Sequence, residues 1–335
     1  MFAHPIRSLA LTTLLALTAA HALAQPANKP VRVIVGFAAG GGTDISARFM
    51  ADRLRGLYAP VVIVENRVGA ASKIAVEHVK NSEPDGTTIL FTPDFPLVVY
   101  PHSYRKLEYD PVKDFIAAAS ISRTNLVISI GPAVPDSVTN VSQFVTWARA
   151  NPKGAFFATT AAGATPHFAG VMLSRAANID LTAVHYKGGG PAMQALIAGQ
   201  VPLSVNPVSE AMPAANAKKI RVIASTGTER SKFFPDVPTM VESGYKDVVV
   251  AGYTGFYMPA KTPPAIVAKF NAAVGSLLKT EEVRASLAKL GSDAFAATPD
   301  EFSAIVRTEL QRWGPIVKAS GFTADRKSTR LNSSH

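Results

Sequence analysis

VRVIVGFAAGGGTDISARFM, residues 31–50, is the stretch that decides the fold. Val31, Val33 and Val35 share one alternating set and Ile34 adds apolar density, the pattern of a mostly buried strand. Gly40, Gly41 and Gly42 then turn the chain where side chains would obstruct it. Thr43 or Asp44 is placed to cap the following helix, whose apolar face includes Ile45 and Phe49. A strand, a glycine turn and a helix start bring unpaired backbone N–H groups to one point, where a carboxylate or phosphate is stabilised. Such a turn also serves simply to join a strand to a helix, and this stretch alone leaves both roles open. The spacing is not GxGxxG and no GKS or GKT follows, so neither nucleotide motif is met. Glu65, after the apolar run 61–64, lies about where a ribose-binding acid sits in a dinucleotide fold, but the glycines before it do not fit that use.

Outward from this stretch the α/β rhythm continues. Residues 60–67 read as a second strand, 68–72 as a small-residue turn, 73–79 as a helix and 88–91 as a third strand after the Asp85-Gly86 turn. This βαβαβ order predicts a parallel sheet with helices on its faces. Thr92-Pro93-Asp94 follows the third strand, where ligands of open parallel sheets tend to lie. Two apolar segments, 116–121 and 125–130, lead out of that sheet. A second unit then begins, with helices at 141–150, 165–173 and 188–197 and strands at 155–159, 181–185, 201–206 and 220–224. The proline-punctuated connector 233–238 leads to a strand at 248–258 that returns to the first unit. Helices follow at 263–278, with Ile266, Phe270, Val274 and Leu277 on one stripe, and at 281–290. Thr298, Pro299 and Glu301 form a capping box before the stripe Phe302, Val306, Leu310, Trp313 and Val317. The fold class is therefore α/β, two α/β units joined by crossover strands that act as a hinge.

The 335 residues, nearly half apolar, with 24 Pro and 23 Gly, suit two packed α/β domains. Arg7, the apolar run 9–20 and Ala22-Leu23-Ala24 predict a signal peptide over residues 1–24, cleaved to leave Gln25 first. That run falls short of the roughly 20 residues of a membrane span, and no other segment is long and apolar enough for one. The expectation is a soluble exported protein. Cysteine is absent, which excludes thiol redox chemistry, disulfides and thiolate metal sites. Residues 326–335, RKSTRLNSSH, continue no element and are expected to be a disordered or artefactual tail. Setting aside Arg7, Arg326, Lys327 and Arg330 lowers the 34 basic residues to 30 against 24 acidic, so the formal +10 falls to +6. The basic residues are scattered without interleaved aromatics, and no nucleic-acid partner is expected.

His78, His102, His167 and His185 form no HExxH or other close ligand spacing, so no metal is expected. No GxSxG elbow appears either. Asp44 and His167 are candidates for base and acid; the plainer roles are that Asp44 caps or braces the glycine turn and His167 donates a hydrogen bond near a helix start. The segment ATTAAGATPHFAG, residues 158–170, repeats the first device: a strand, small residues, a glycine and a helix from Thr165, with Thr159, Thr160 and Thr165 adding hydroxyls. It is either a packed loop or the opposite jaw of an anion site.

The segments VRVIVGFAAGGGTDISAR, VVIVENRVGA, PDGTTIL, YDPVKDF, NPKGAFFATTAAGATPHFAG, VHYKGGGPAMQALIAGQV, FPDVPTMVESGY, MPAKTPPAIVAKFNAAV and TPDEFSAIVRTELQRWG, in this order, resemble the Bug or TctC family. These are the periplasmic solute receptors of tripartite tricarboxylate transporters, and the likeness covers nearly all of residues 27–322. The resemblance implies a type II periplasmic binding protein closing like a clamshell, one domain at 27–125 plus 250–325 and the other at 126–249. It implies ligand-binding positions at Phe37, Ala38, Ala39, Gly41 and Asp44 from the first domain and Thr160, Ala161, Thr165, His167 and Asn206 from the second. Departures are Ala39 for a common proline, Val68 for another, Ala71 and Ser72 for paired glycines, Lys73 for an asparagine, and Asn206 where many relatives carry a cleft aspartate. Loss of that aspartate removes an acceptor for an amino group, which favours a carboxylate without an ammonium.

The function this implies is capture of a small organic acid for the membrane permease subunits of a tripartite tricarboxylate transporter. A monomer without cofactor is expected, doing no covalent chemistry. A ligand sensor for a membrane signalling partner, or an exported hydrolase or isomerase using Asp44 and His167, are the alternatives.

Overall fold

A computed structural model describes residues 29–324; the expected leader and the tail at 326–335 lie outside the described residues. In chain order the elements are β1 (Val31–Val35), α1 (Gly42–Leu54), β2 (Val62–Asn66), α2 (Lys73–Lys80), β3 (Thr88–Pro93) and the short α3 (Phe95–Val98) and α4 (Tyr100–Ser103). Next come β4 (Phe115–Ile130), α5 (Val141–Ala150), β5 (Phe156–Thr159), α6 (Thr165–Ala176), β6 (Thr182–His185), α7 (Gly189–Ile197), β7 (Leu203–Pro207), α8 (Val208–Asn216) and β8 (Arg221–Ser225). The last are β9 (Ala251–Pro259), α9 (Pro264–Leu278), α10 (Glu281–Lys289), β10 (Asp293–Ala294) and α11 (Pro299–Ser320).

β1 lies between β2 and β3 and runs parallel to both, with Val33 opposite Val64 and Ile89. The alternation of β1 feeds two cores. Val31, Val33 and Val35 pack with Ala47 and Met50 of α1, whereas Ile34 packs with Ala75, Val76 and Val79 of α2. The second parallel set is β7-β5-β6. There Phe157 packs with Phe168 and Leu173 of α6, and Ala158 with Ala192 and Leu196 of α7 on the opposite face.

The two sets meet through β4 and β9, in the order β2-β1-β3-β9-β4-β7-β5-β6. The apolar segments 116–121 and 125–130, read separately in the sequence, are one 16-residue strand. The intervening Ser122, Arg123 and Thr124 keep their ladder partners on β9, so a polar insert does not break the strand. β4 then pairs with β7 and β8 through residues 126–130 and 127–130, respectively. Helix α11 starts with the expected capping box, and Trp313 is fully buried. It covers more than the first sheet: the Trp313 ring lies 5.9 Å from Phe168 of α6, and just beyond the helix Ala324 N–H donates to Ser103 C=O at 2.8 Å.

Helix α8 has no counterpart in the sequence reading. Pro213 sits inside it, yet Val208, Ala211 and Ala214 fall on one buried face and hold the helix against the core. At the other departure from the family pattern, Ala70, Ala71 and Ser72 all adopt positive φ, 45°, 56° and 75°. Side chains are strained in that region, and glycine is not.

Ala71→Gly is expected to stabilise the protein by up to about 1 kcal/mol, the relief of left-handed strain net of glycine's extra entropy. Gly170→Ala in α6 should do the opposite, because its Cβ would lie 2.1 Å from the Phe157 ring; the expected cost is about 1–3 kcal/mol. Urea midpoints of the two variants check both signs, and a lowered midpoint for Ala71→Gly would contradict the strain reading.

Candidate functional site

The first turn is held from behind. Gly40 adopts φ +80°, and Gly41, not Thr43 or Asp44, is the N-cap of α1, without a side-chain cap. The helix therefore starts two residues early and leaves Asp44 at its third position, facing back toward the turn. Its Oδ2 accepts from Gly40 N–H at 2.8 Å and Arg48 Nε at 3.0 Å, and its Oδ1 accepts from Asn66 Nδ2 at 2.8 Å. Asn66 Nδ2 also donates to Phe37 C=O at 3.0 Å, and Arg48 Nη2 donates to Asn66 Oδ1 at 2.8 Å. Burial of Asp44 alone would raise its pKa, but the bonds from Arg48, Gly40 and Asn66 and the guanidinium charge together hold it below the ordinary carboxylate value. Residues 38–42 are exposed in front of this brace. The amides of Gly42 and Thr43, in the first turn of the helix, have no intrahelical acceptor. Phe37, half-buried, sets its ring edge-on to Phe95 at 5.8 Å. Glu65 is paired with Arg67 at 2.7 Å.

The second turn repeats the geometry with a different side chain. Gly163 adopts φ +72°, Ala164 is the N-cap of α6, and His167 occupies the third helical position. Gly163 N–H donates to His167 Nδ1 at 3.2 Å. The histidine thus accepts, where a donor was expected, and an accepting Nδ1 assigns a neutral ring with its proton on Nε2. Its ring lies 4.6 Å from Phe322, 4.7 Å from His185 and 5.1 Å from Phe168. Burial, with His185 beside it, pushes its pKa down to about 3. Asp44 and His167 therefore each brace their own glycine and make no acid–base pair.

Ahead of this brace Thr160 and Ala161 are half-buried, and Thr160 C=O accepts from Gly188 N–H at 2.9 Å. Thr165 is buried and its hydroxyl donates to Asp94 Oδ1 at 3.4 Å, a bond from the start of α6 to the residue after β3. Burial, reinforced by the charge of Glu309, pushes Asp94 up to about 7. Lys73 places its ammonium 4.0 Å over the Tyr104 ring.

Asn206, near the end of β7, is fully buried. Its Oδ1 accepts from the Ser204 hydroxyl, and its Nδ2 donates to Glu210 Oε2 at 2.7 Å. Glu210, at the third position of α8, is a residue the sequence reading missed with its helix; the apolar spacing Val208, Ala211, Ala214 was the signal available. Burial pushes its pKa up to about 7 against the opposing Asn206 bond. Where Asn206 stands in place of an aspartate, a carboxyl group, that of Glu210, lies on the Asn206 amide itself. Among the described residues no group of three or more His, Asp or Glu is placed to hold a metal, and no helix is long and apolar enough to cross a membrane.

Because His167 has a folded pKa far below its ordinary 6.5, its contribution to stability is complete above pH 6.5 and is lost as pH falls toward 3. Asp94 and Glu210, raised to about 7, act oppositely: they stabilise most below their ordinary 3.8 and 4.5 and lose that as pH rises toward 7. The difference between wild type and His167→Gln isolates the histidine, since glutamine keeps an acceptor for Gly163. The variant's stability relative to wild type should improve by about 1–3 kcal/mol between pH 7 and pH 4 in urea titrations. A pH-independent difference would contradict the neutral, buried assignment.

The sequence matches the family described as tripartite tricarboxylate transporter family receptor, TctC, over residues 46–322. Protein BugT of Bordetella pertussis is 28% identical over 294 residues, 88% of this chain and 90% of that protein. Among solved structures, R. palustris Rpa4515 with adipate is 28% identical, with a TM-score of 0.84 over 89% of this chain and 99% of that one. MatC from Rhodopseudomonas palustris with bound malate is 31% identical, with a TM-score of 0.79 over 86% and 98%. The periplasmic binding protein BugD is 29% identical, with a TM-score of 0.80 over 88% and 98%. The two-domain α/β fold of these receptors is the fold of this chain, and the chain belongs to the TctC family of tripartite tricarboxylate transporter receptors, solute-binding proteins rather than enzymes.

Proposed function

We propose that this receptor works in the periplasm as a monomer, grips one small organic carboxylate between the turns at 37–44 and 160–165, and hands it to the permease subunits of its transporter. The observation that carries this reading is the matched pair of turns. In each, a glycine at positive φ is tied by its N–H to the side chain four residues on, which fixes the turn in front of it. Backbone donors fixed before the ligand arrives cost little to organise, so affinity does not require an arginine fork. Phe37, Ala38, Ala39, Gly41, Thr160 and Ala161 then touch the ligand, whereas Asp44, Thr165, His167 and Asn206 hold those contacts in place. The domains are those of residues 27–125 plus 250–325 and 126–249, hinged at β4 and β9. Support for the ligand class comes from Rpa4515 and MatC, whose structures contain adipate and malate, both carboxylates.

Calorimetry on protein refolded to strip retained ligand, with adipate, succinate, malate, citrate, aspartate, glutamate and benzoate, tests the reading. At least one acid should bind at micromolar Kd or tighter and remain chemically unchanged. Asp44→Ala should weaken that acid at least tenfold, about 1.4 kcal/mol, with its circular dichroism retained. Binding that survives Asp44→Ala, or no binding by any acid, would contradict the grip.

A further inference from the structure

We propose that Glu210 is the specificity-determining group of the second-domain wall: it receives the ammonium of a zwitterionic ligand, so this receptor prefers amino acids to the corresponding unsubstituted acids. The inference rests on the preceding reading that the ligand's carboxylate is held between the two turns.

The placement comes first. β5, β6 and β7 are parallel, so the starts of α6, α7 and α8 lie at one edge of the sheet. The loop leading into α7 is bonded to Thr160 through Gly188, and the Glu210 carboxyl lies directly against the next residue, Gly189. A Cβ at Gly189 would sit 1.8 Å from Glu210 Cδ, so the glycine is a cradle for this group. Glu210 is thus connected through two short steps to the proposed carboxylate grip.

Its pairing comes second. Oε2 accepts from Asn206, whose Oδ1 in turn accepts from the Ser204 hydroxyl. Oε1 has no hydrogen-bond partner among the described residues, and Glu210 as a residue is half-buried. No Lys, Arg or His among the described residues forms an ion pair with Glu210. Asp44, the acid in the matching helical position of the first turn, has Arg48 for this purpose. Carboxylates removed from water are ordinarily paired with a cation, and no cation among the described residues takes that place here. The raised pKa of about 7 is the expected signature of that gap, and a cation brought beside Oε1 would restore the ionised form. A ligand ammonium supplies the charge and a donor together.

The test uses acids that differ at one atom: succinate, malate and aspartate, then glutarate, 2-hydroxyglutarate and glutamate, titrated calorimetrically into wild type and Glu210→Gln at pH 7.5. In wild type the amino member of at least one set should bind tenfold or more tighter than its unsubstituted acid. Glu210→Gln should collapse that ratio to within about twofold while leaving the unsubstituted acid's Kd within about threefold. The wild-type ratio needs no variant, so poor folding of Glu210→Gln does not shelter the proposal. Unsubstituted acids binding as tightly as amino acids in wild type would overturn the role of Glu210 and leave the carboxylate grip standing. So would an equal loss for every ligand in Glu210→Gln, the mark of a purely structural side chain. A succinate preference that vanishes in Glu210→Gln would overturn it as well, by showing a protonated Glu210 donating to the ligand. Failure of every acid to bind would overturn the grip and this inference together.

Discussion

One hydrogen bond, made twice, underlies the site: a left-handed glycine gives its N–H to the side chain at the third position of the following helix. Without it, Gly40 and Gly163 would be free to sample many conformations, and the turns beyond them would have to be ordered by the ligand at the ligand's expense. With it, the cost of ordering is met during folding. The two acceptors differ in charge. Asp44 is anionic and is balanced by Arg48 and Asn66 behind the turn, whereas His167 is neutral in an aromatic nest. Neither presents an uncompensated negative charge toward an arriving acid.

The grip we propose needs these two turns at one place. β4 and β9 carry the chain between the sheets side by side and join the two units by a paired ribbon. Helix α11 and the residues just after it reach the second turn from the first unit, with Phe322 against His167 and Trp313 against Phe168. The Thr165–Asp94 bond adds a polar contact across the same junction. The C-terminal helix therefore ties the first unit to the second turn.

Most of the fold was legible because each local signal agreed with its surroundings. The alternating apolar run of β1, the helix at Val141–Ala150 and the Thr298–Glu301 capping box all formed where periodicity and capping chemistry placed them. The failures have physical causes. β4 looked like two segments because its middle is polar, but ladder bonds to β9 do not depend on side-chain polarity. α8 was hidden by Pro213, whose cost is offset by a buried face. For the proposed site, the glycines and small residues made both turns legible as turns, whereas the orientation of Asp44 and His167 depends on tertiary partners such as Asn66 and Phe322. Glu210 could not be recognised before α8 placed it against Asn206 and Gly189.

The central claim is that amides of both turns meet on one carboxylate. A crystal structure of the complex with the tightest-binding acid tests it most directly. The account predicts carboxylate oxygens about 2.7–3.2 Å from backbone nitrogens within residues 38–43 and from donors within residues 160–165. An acid seated elsewhere, or held by only one of the two turns in the closed protein, would contradict it.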